Sequence, residues 1–228
     1  YGPGKSVTST INYRANYFLI NGRGYPSIPD AILGNGAAGQ RVLLRLLNAG
    51  YESHAPVLQD LYMSLVAEDG NLLPYAREQY SAHLPAGKTM DAIIDAPTTG
   101  KRFSLYDRRL SLTNNLSSPG GMLMYLGIDT DADTIPDYRD NCTLVKNADQ
   151  RDTNGDGYGN ICDADFNGSL TVNTLDLNIL KAAYGTAVGN PLYNPDVDLN
   201  GDNKVNTLDL GRFKQLYGKP IGPSCCGQ

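Results

Sequence analysis

The chain has 228 residues, 41% of them hydrophobic, with no Trp, 19 Lys and Arg against 24 Asp and Glu, and a formal net charge of −5. That length suits two or three domains, and the acidic balance argues against nucleic acid as a partner. No apolar run is long enough for a membrane span, since the longest, around residues 42–47, is broken by Arg45 and preceded by Arg41.

The first 128 residues read as β structure. The chain begins at Tyr1-Gly2-Pro3-Gly4 without a charged-then-apolar leader, which implies a processed or trimmed start entering in mid-β structure. Tyr17-Phe18-Leu19-Ile20 running into Asn21-Gly22 is a hairpin signal, and Pro26 and Pro29 end the pattern. Residues 41–48 alternate, with Val42, Leu44 and Leu46 on one face and Arg41, Leu43, Arg45 and Leu47 on the other, as in a strand whose second face is partly wet. Further strands are predicted at 63–67, 91–96, 103–106 and 122–126, separated by Asp69-Gly70-Asn71, Pro85-Ala86-Gly87, Thr99-Gly100 and Pro119-Gly120-Gly121. Short strands with turn signals at such intervals predict a β-sandwich.

At Asp129 the composition turns abruptly to Asp, Asn and Gly, which divides the chain into a sandwich (1–128), an acidic segment (129–164), a duplicated module (165–219) and a tail (220–228). The duplication is explicit: Val-Asn-Thr-Leu-Asp-Leu starts at Val172 and again at Val205, an offset of 205 − 172 = 33 residues. Each copy leads into a helical pattern ending in Tyr-Gly, with Leu177, Leu180 and Tyr184 on one face and Leu210, Phe213 and Tyr217 on the other copy's equivalent face. Each half is too small to bury its stripe alone, so the two are expected to pack together. A bridge between Cys142 and Cys162 would close a loop of about 20 residues and remove roughly 3 kcal/mol of unfolded-state entropy. Cys225 and Cys226 are adjacent and fit a vicinal bridge, a bond to another chain, or two free thiols. Such cysteine usage suits a secreted protein, extracellular or at the cell surface.

Calcium takes six to eight oxygen ligands, which a loop supplies when acidic or amide side chains recur every second residue and a carboxylate follows at the twelfth position. The second copy offers Asp198, Asn200, Asp202, the Lys204 carbonyl and Asp209; the first offers Asp165, Asn167, Ser169, the Thr171 carbonyl and Asp176. Leu170 and Asn203 stand at the sixth position, where Gly would turn most easily. This duplicated loop-helix pattern resembles the type I dockerin domain. The resemblance implies a small helical calcium module that plugs into a cohesin-like partner through Thr174-Leu175 and Thr207-Leu208, the alternative being a calcium-hardened spacer. The preceding segment, with Asp129, Asp131, Asp133, Asp137 and Asp140 followed by Asp152, Asn154, Asp156, Asn160 and Asp163, an Asn-Cys and a closing Cys-Asp, is similar to a thrombospondin type 3 repeat. That likeness implies two further calcium clusters in a segment with little apolar core, so that the ions supply much of the folding free energy. Thr134 stands where that pattern often has Gly.

In the β region, Leu44-Arg-Leu-Leu-Asn-Ala-Gly-Tyr-Glu-Ser-His54, Val66-Ala-Glu-Asp-Gly-Asn71 and Leu84-Pro-Ala-Gly-Lys-Thr-Met-Asp-Ala-Ile-Ile-Asp95 resemble a cupredoxin domain of multicopper oxidases. The resemblance implies a Greek-key sandwich and, in copper-carrying members, oxidation at a His-Cys-His centre with dioxygen reduction at a trinuclear cluster. The ligands are missing here: His54 and His83 are the only histidines, no Cys precedes Cys142, and of the segment where a His-Cys-His, a further His and a Met would stand only Met122 remains. A complete copper site is not expected from this chain alone. No Gly-x-Ser-x-Gly, phosphate-cradling Gly loop or His-Glu-x-x-His is present. The expected function is therefore a secreted, non-catalytic, calcium-binding structural or assembly protein. Two alternatives stand beside it: a fragment of a multicopper oxidase whose ligands lie in other domains, and a self-associating extracellular fibre subunit with open sheet edges.

Overall fold

The computed structural model describes residues 13–227, so the expected β structure at Tyr1-Gly2-Pro3-Gly4 lies outside the described residues. The chain divides into two compact units: one runs to Ala31 and includes Gly39–Ala96 and Arg102–Leu126; the other combines Ile32–Ala38 and Pro97–Lys101 with everything from Gly127 onward.

The strands are β1 (Ala31–Ile32), β2 (Arg41–Leu47), β3 (Pro56–Leu58), β4 (Met63–Glu68), β5 (Asn71–Gln79), β6 (Thr89–Asp95), β7 (Phe103–Asp107) and β8 (Leu123–Gly127). They form two four-stranded sheets, ordered β1-β8-β7-β3 and β2-β6-β4-β5. Alternation builds the core: Met63, Leu65 and Ala67 of β4 and Met90, Ala92 and Ile94 of β6 are buried, as are Leu58, Phe103, Leu105, Met124 and Leu126 of the other sheet. In β2 the odd-numbered residues are exposed and the even-numbered ones half-buried. On its wet face Arg45 lies opposite Asp91 of β6 and makes a two-pronged pair at 2.9 and 3.0 Å.

Three details depart from the sequence expectation. Asn21 and Gly22 do form a two-residue turn, at φ of 50° and 76°, closed by two bonds between Ile20 and Arg23 at 2.8 and 3.0 Å. Residues 17–19, however, form no strand, because the Phe18 amide is taken by the Asn114 side chain at 2.8 Å instead of a facing backbone. His83, whose neighbours Ala82 and Leu84 suggest a strand, lies exposed in a connection where Leu84 makes only a single bridge, to His54. Strand β5 was not foreseen, since Pro74 and the run Tyr-Ala-Arg-Glu conceal it. Asp69 and Gly70, at φ of 47° and 77°, turn β4 back on itself, and the register passes from Ala67↔Leu72 to Leu65↔Arg77, leaving residues 73–76 opposite Val66. Pro74 falls in that bulge on an edge strand, where no ladder donor is required of it.

The second unit has two single 3₁₀ turns (Asp137–Arg139 and Asn160–Cys162) and two ten-residue helices, α1 (Thr174–Ala183) and α2 (Thr207–Leu216). Asn173 and Asn206 cap the helices and share reciprocal bonds with Asp176 and Asp209; Tyr184 and Tyr217 end them, followed by Gly185 and Gly218 at positive φ. Leu180 and Phe213 meet Ala164, Val172, Val197, Leu199 and Val205 in one core, with Phe166 stacked on Phe213 at 5.9 Å. Tyr184 and Tyr217 stay more than two-fifths exposed, so the buried stripe ends one turn earlier than the periodicity suggested. Cys142 is bonded to Cys162, and Cys225 to its neighbour Cys226. The tail is docked: the Thr143 amide bonds Pro223 O at 3.0 Å, the Cys225 amide bonds Asp140 O at 2.9 Å, and Ser224 Oγ donates to Gly157 O at 2.5 Å.

Candidate metal centres

Four segments of the second unit share one backbone plan. Asp129, Asp152, Asp165 and Asp198 open them, and a second Asp stands eleven residues on: Asp140, Asp163, Asp176 and Asp209. Each opening carboxylate folds its own loop by accepting amides that follow it. Asp129 accepts from Ala132 at 2.7 Å and Thr134 at 2.8 Å, and Asp152 from Gly155 at 2.7 Å and Gly157 at 2.9 Å. Asp165 accepts from Ser169 at 3.0 Å and from Leu170, and Asp198 from Gly201 and Asn203, both at 2.9 Å. The fourth residue has positive φ in every loop (Ala132, Gly155, Gly168, Gly201), and so does the sixth: Thr134 at 83°, Gly157 at 90°, Leu170 at 64° and Asn203 at 66°. The turn made easily by Gly is thus imposed on Thr, Leu and Asn, at a cost of order 1–2 kcal/mol for a residue such as Leu.

The closing carboxylates are buried and act as hubs. Asp176 accepts from the Asn173 and Asn167 amides at 2.8 and 3.3 Å, Asp209 from Asn206 and Asn200 at the same distances, and Asp140 from the Cys142 amide and Gln150 Nε2, both at 2.8 Å. Asp163 accepts from the Asp165 amide at 2.8 Å. At the ninth position Asp137 holds the Thr130 amide and Asn160 that of Thr153, at 2.8 and 2.9 Å. Of the remaining predicted ligands, Asp133 is buried, Asp131, Asp152 and Asp156 are half-buried, and Asn154, Asn167, Ser169, Thr171, Asn200, Asp202 and Lys204 are exposed.

The first loop is drawn together most tightly. One carboxylate oxygen each from Asp129, Asp131 and Asp133 lies within 4.8 Å of the others, and no other acid triad among the described residues gathers so closely. Asp131 Oδ2 is buried without a hydrogen-bond partner. Burial first, then the charges of Asp133, Asp140 and Asp129, push the Asp131 carboxyl up to about 6. Burial, helped by Asp156 and Asp165, pushes Asp163 up to about 7, and burial also raises Asp140 and Asp209. Carboxylate oxygens crowded in this way are groups that could hold a hard cation, and the residues at the seventh position of the four loops are Ile135, Tyr158, Thr171 and Lys204.

Links between loops were not foreseen. Arg151 donates to Asp198 O and, at 2.8 Å, to Pro195 O; Asn160 Nδ2 donates to Pro195 O at 3.0 Å; Thr153 Oγ1 donates to Asp196 at 2.5 Å. Tyr193 holds Asp198 Oδ2 at 2.8 Å, and burial and then that carboxylate push its hydroxyl up to about 12. The eleven-residue spacing was a signal available in the sequence for the common loop plan; nothing there pointed to Arg151 or Tyr193.

In the first unit, His54 Nδ1 lies 2.9 Å from Asp107 Oδ2, and the Asp107 side chain is fully buried. Asp107 also accepts from the Ala55 amide at 2.9 Å, Ser111 Oγ at 2.8 Å and the Arg109 amide at 3.4 Å. Burial works to raise its carboxyl, but these bonds together outweigh it and hold the group below the usual range. A blue-copper centre does not fit here. It needs a thiolate and two imidazoles, whereas all four cysteines are in disulfides of the second unit, His83 is exposed, and His54 Nδ1 is committed to a carboxylate.

Among solved structures, the chain is similar to the multicopper oxidase mgLAC, with a TM-score of 0.50 and 23% identity over 56% of this chain and 39% of that one. It is also similar to the blue copper oxidase from Nitrosomonas europaea (TM-score 0.46, 20% identity, 60% and 44% covered) and a multicopper oxidase from Campylobacter jejuni (0.39, 11%, 47% and 22%). No family model matches the chain, and no curated protein does either. The chain spans less than half the length of these oxidases, and what it shares with mgLAC is the cupredoxin-like β-sandwich fold.

Proposed function

We propose that this chain is a calcium-stabilised, non-catalytic structural or assembly protein of the extracellular space or cell surface. The observation that carries the reading is the acid triad of Asp129, Asp131 and Asp133 with its buried, unpartnered Asp131 Oδ2. A buried carboxylate oxygen without a donor costs several kcal/mol, and a divalent cation removes that cost. Three more loops on the same backbone plan extend the reading to several ions, and the two disulfides suit an oxidising compartment. Calcium titration by calorimetry, with circular dichroism and proteolysis in excess chelator, tests it. Binding of several ions, and loss of helix and protease resistance in the second unit on chelation, are expected. A compact, protease-resistant, metal-free second unit would sink the reading.

The assembly role rests on the helix starts. Leu175 and Leu208 occupy matching places on α1 and α2 and are 61% and 62% exposed, a near-symmetric apolar pair of the kind a cohesin-like partner would cover. Replacing both with Asp should abolish capture of such a partner and leave calcium binding intact.

A second reading follows from the likeness to mgLAC: the sandwich as one domain of a larger copper oxidase whose ligands are contributed elsewhere. Copper and a blue absorption band in the full gene product would favour it; a colourless, copper-free product would discard it.

A further inference from the structure

The sandwich holds a cavity of about 670 Å³, walled by Leu44, Leu46, Met122 and Met124 and reached by the His54 ring. That volume is in the range of small-molecule sites. The charged side chains at its wall and the Asn48 amide are already satisfied. Arg45 pairs with Asp91, and Glu52 with Arg109 at 2.7 Å. Asn48 Nδ2 donates to the Glu52 and Leu84 carbonyls at 2.7 and 3.1 Å, and its Oδ1 accepts from the Gly50 amide at 2.9 Å. His54 is different. Asp107 accepts from all its other neighbours, so the proton between the two groups sits on His54 Nδ1, and in the uncharged form of the ring the free lone pair is on Nε2, which has no hydrogen-bond partner among the described residues.

We propose that this cavity binds a compact, neutral, mainly apolar organic molecule that donates one hydroxyl or N–H to His54 Nε2. Neutrality follows from the paired state of Arg45 and Glu52, which leaves no charge to meet an ion. The apolar body follows from the Leu, Met and aromatic walls, and the donor from the acceptor whose direction Asp107 fixes, Tyr13, Tyr17, Tyr51, Tyr106 and Asn21 being the other polar side chains of the lining. Asp107 is the positioning residue, because it fixes the imidazole tautomer and the ring's direction. The site is independent of the calcium reading, since its residues all belong to the first unit.

The test uses the full chain with calcium present, titrated with benzyl alcohol and with toluene while the methionine methyl resonances are followed by NMR. Saturable shifts at Met122 and Met124 are expected with both probes, with benzyl alcohol binding about five-fold more tightly, as one net hydrogen bond predicts. His54→Phe should erase that preference, and Leu46→Trp, which fills the space, should abolish both titrations while circular dichroism stays unchanged. Absence of saturable shifts in the unmodified chain, equal affinities for the two probes, or shifts that persist in Leu46→Trp would overturn the proposal, and the first two need no variant to fold.

Discussion

Asp131 and Asp107 are carboxylates in opposite situations. Asp131 is surrounded by acids and has an oxygen without a donor, whereas Asp107 is surrounded by donors. Asp131→Asn should therefore act with two signs: a higher melting temperature in chelator, where repulsion is relieved, and a lower one in saturating calcium, where a charged ligand is lost. Calorimetry of variant and parent in both buffers checks this. Asp107→Ala should cost the sandwich about 3 kcal/mol, because it strips a buried network of its centre, and urea unfolding measures it. Because the folded Asp107 carboxyl is held low, its stabilisation is complete above the ordinary carboxylate range, about pH 4, and is lost as pH falls through the lower folded value. The urea midpoint of the sandwich should fall on acidification below that range, and Asp107→Asn should flatten the fall. His54 and Met122 could be singled out from the sequence, but the partner that defines His54 could not, since Asp107 is 53 residues away and meets it only across the β3–β7 pairing.

At the scale of elements, periodic segments were legible and irregular ones were not. The strands β2, β4, β6, β7 and β8 show alternation that the sheets use directly, and both helices begin and end where Asn caps and Tyr-Gly endings place them. Strand β5 was hidden because an edge strand with a bulge tolerates Pro74 and needs no apolar face. The helix starts carry a double duty, since Asp176 and Asp209 close both a capping box and an acidic loop. Asn206→Ala should cost about 1 kcal/mol through the lost cap and weaken calcium binding at the 198–209 loop only modestly, because Asp209 remains. Thermal melts in calcium, set beside calorimetric titration, separate the two effects.

At the scale of the whole chain, the two units have different sources of stability. The first has an apolar core between two sheets; the second has a small core under α1 and α2, two disulfides, and buried acids. Two transitions are expected in calorimetry, only the second unit's moving with calcium. In chelator the second unit should gain stability as pH falls from 8 to 5, because the folded chain holds protons on Asp163, near pH 7, and Asp131, near pH 6, that the unfolded chain does not. With calcium bound the dependence should reverse, as protons compete with the ion. A second unit whose calcium-free stability rises with pH over that range would contradict the charge-crowding picture.

The sequence by itself determined the local chemistry: which residues alternate, where caps and turns fall, and how carboxylates are spaced along each loop. These are properties of neighbours along the chain, readable without knowing what lies across a sheet. Only the tertiary structure decided the His54–Asp107 pairing, the commitment of Arg45 and Glu52, the contact of Arg151 with Asp198, and the burial that turns Asp131 and Asp163 into reluctant acids. Desolvation and long-range pairing depend on what the fold brings near a group, and that distance is not written in the spacing of residues.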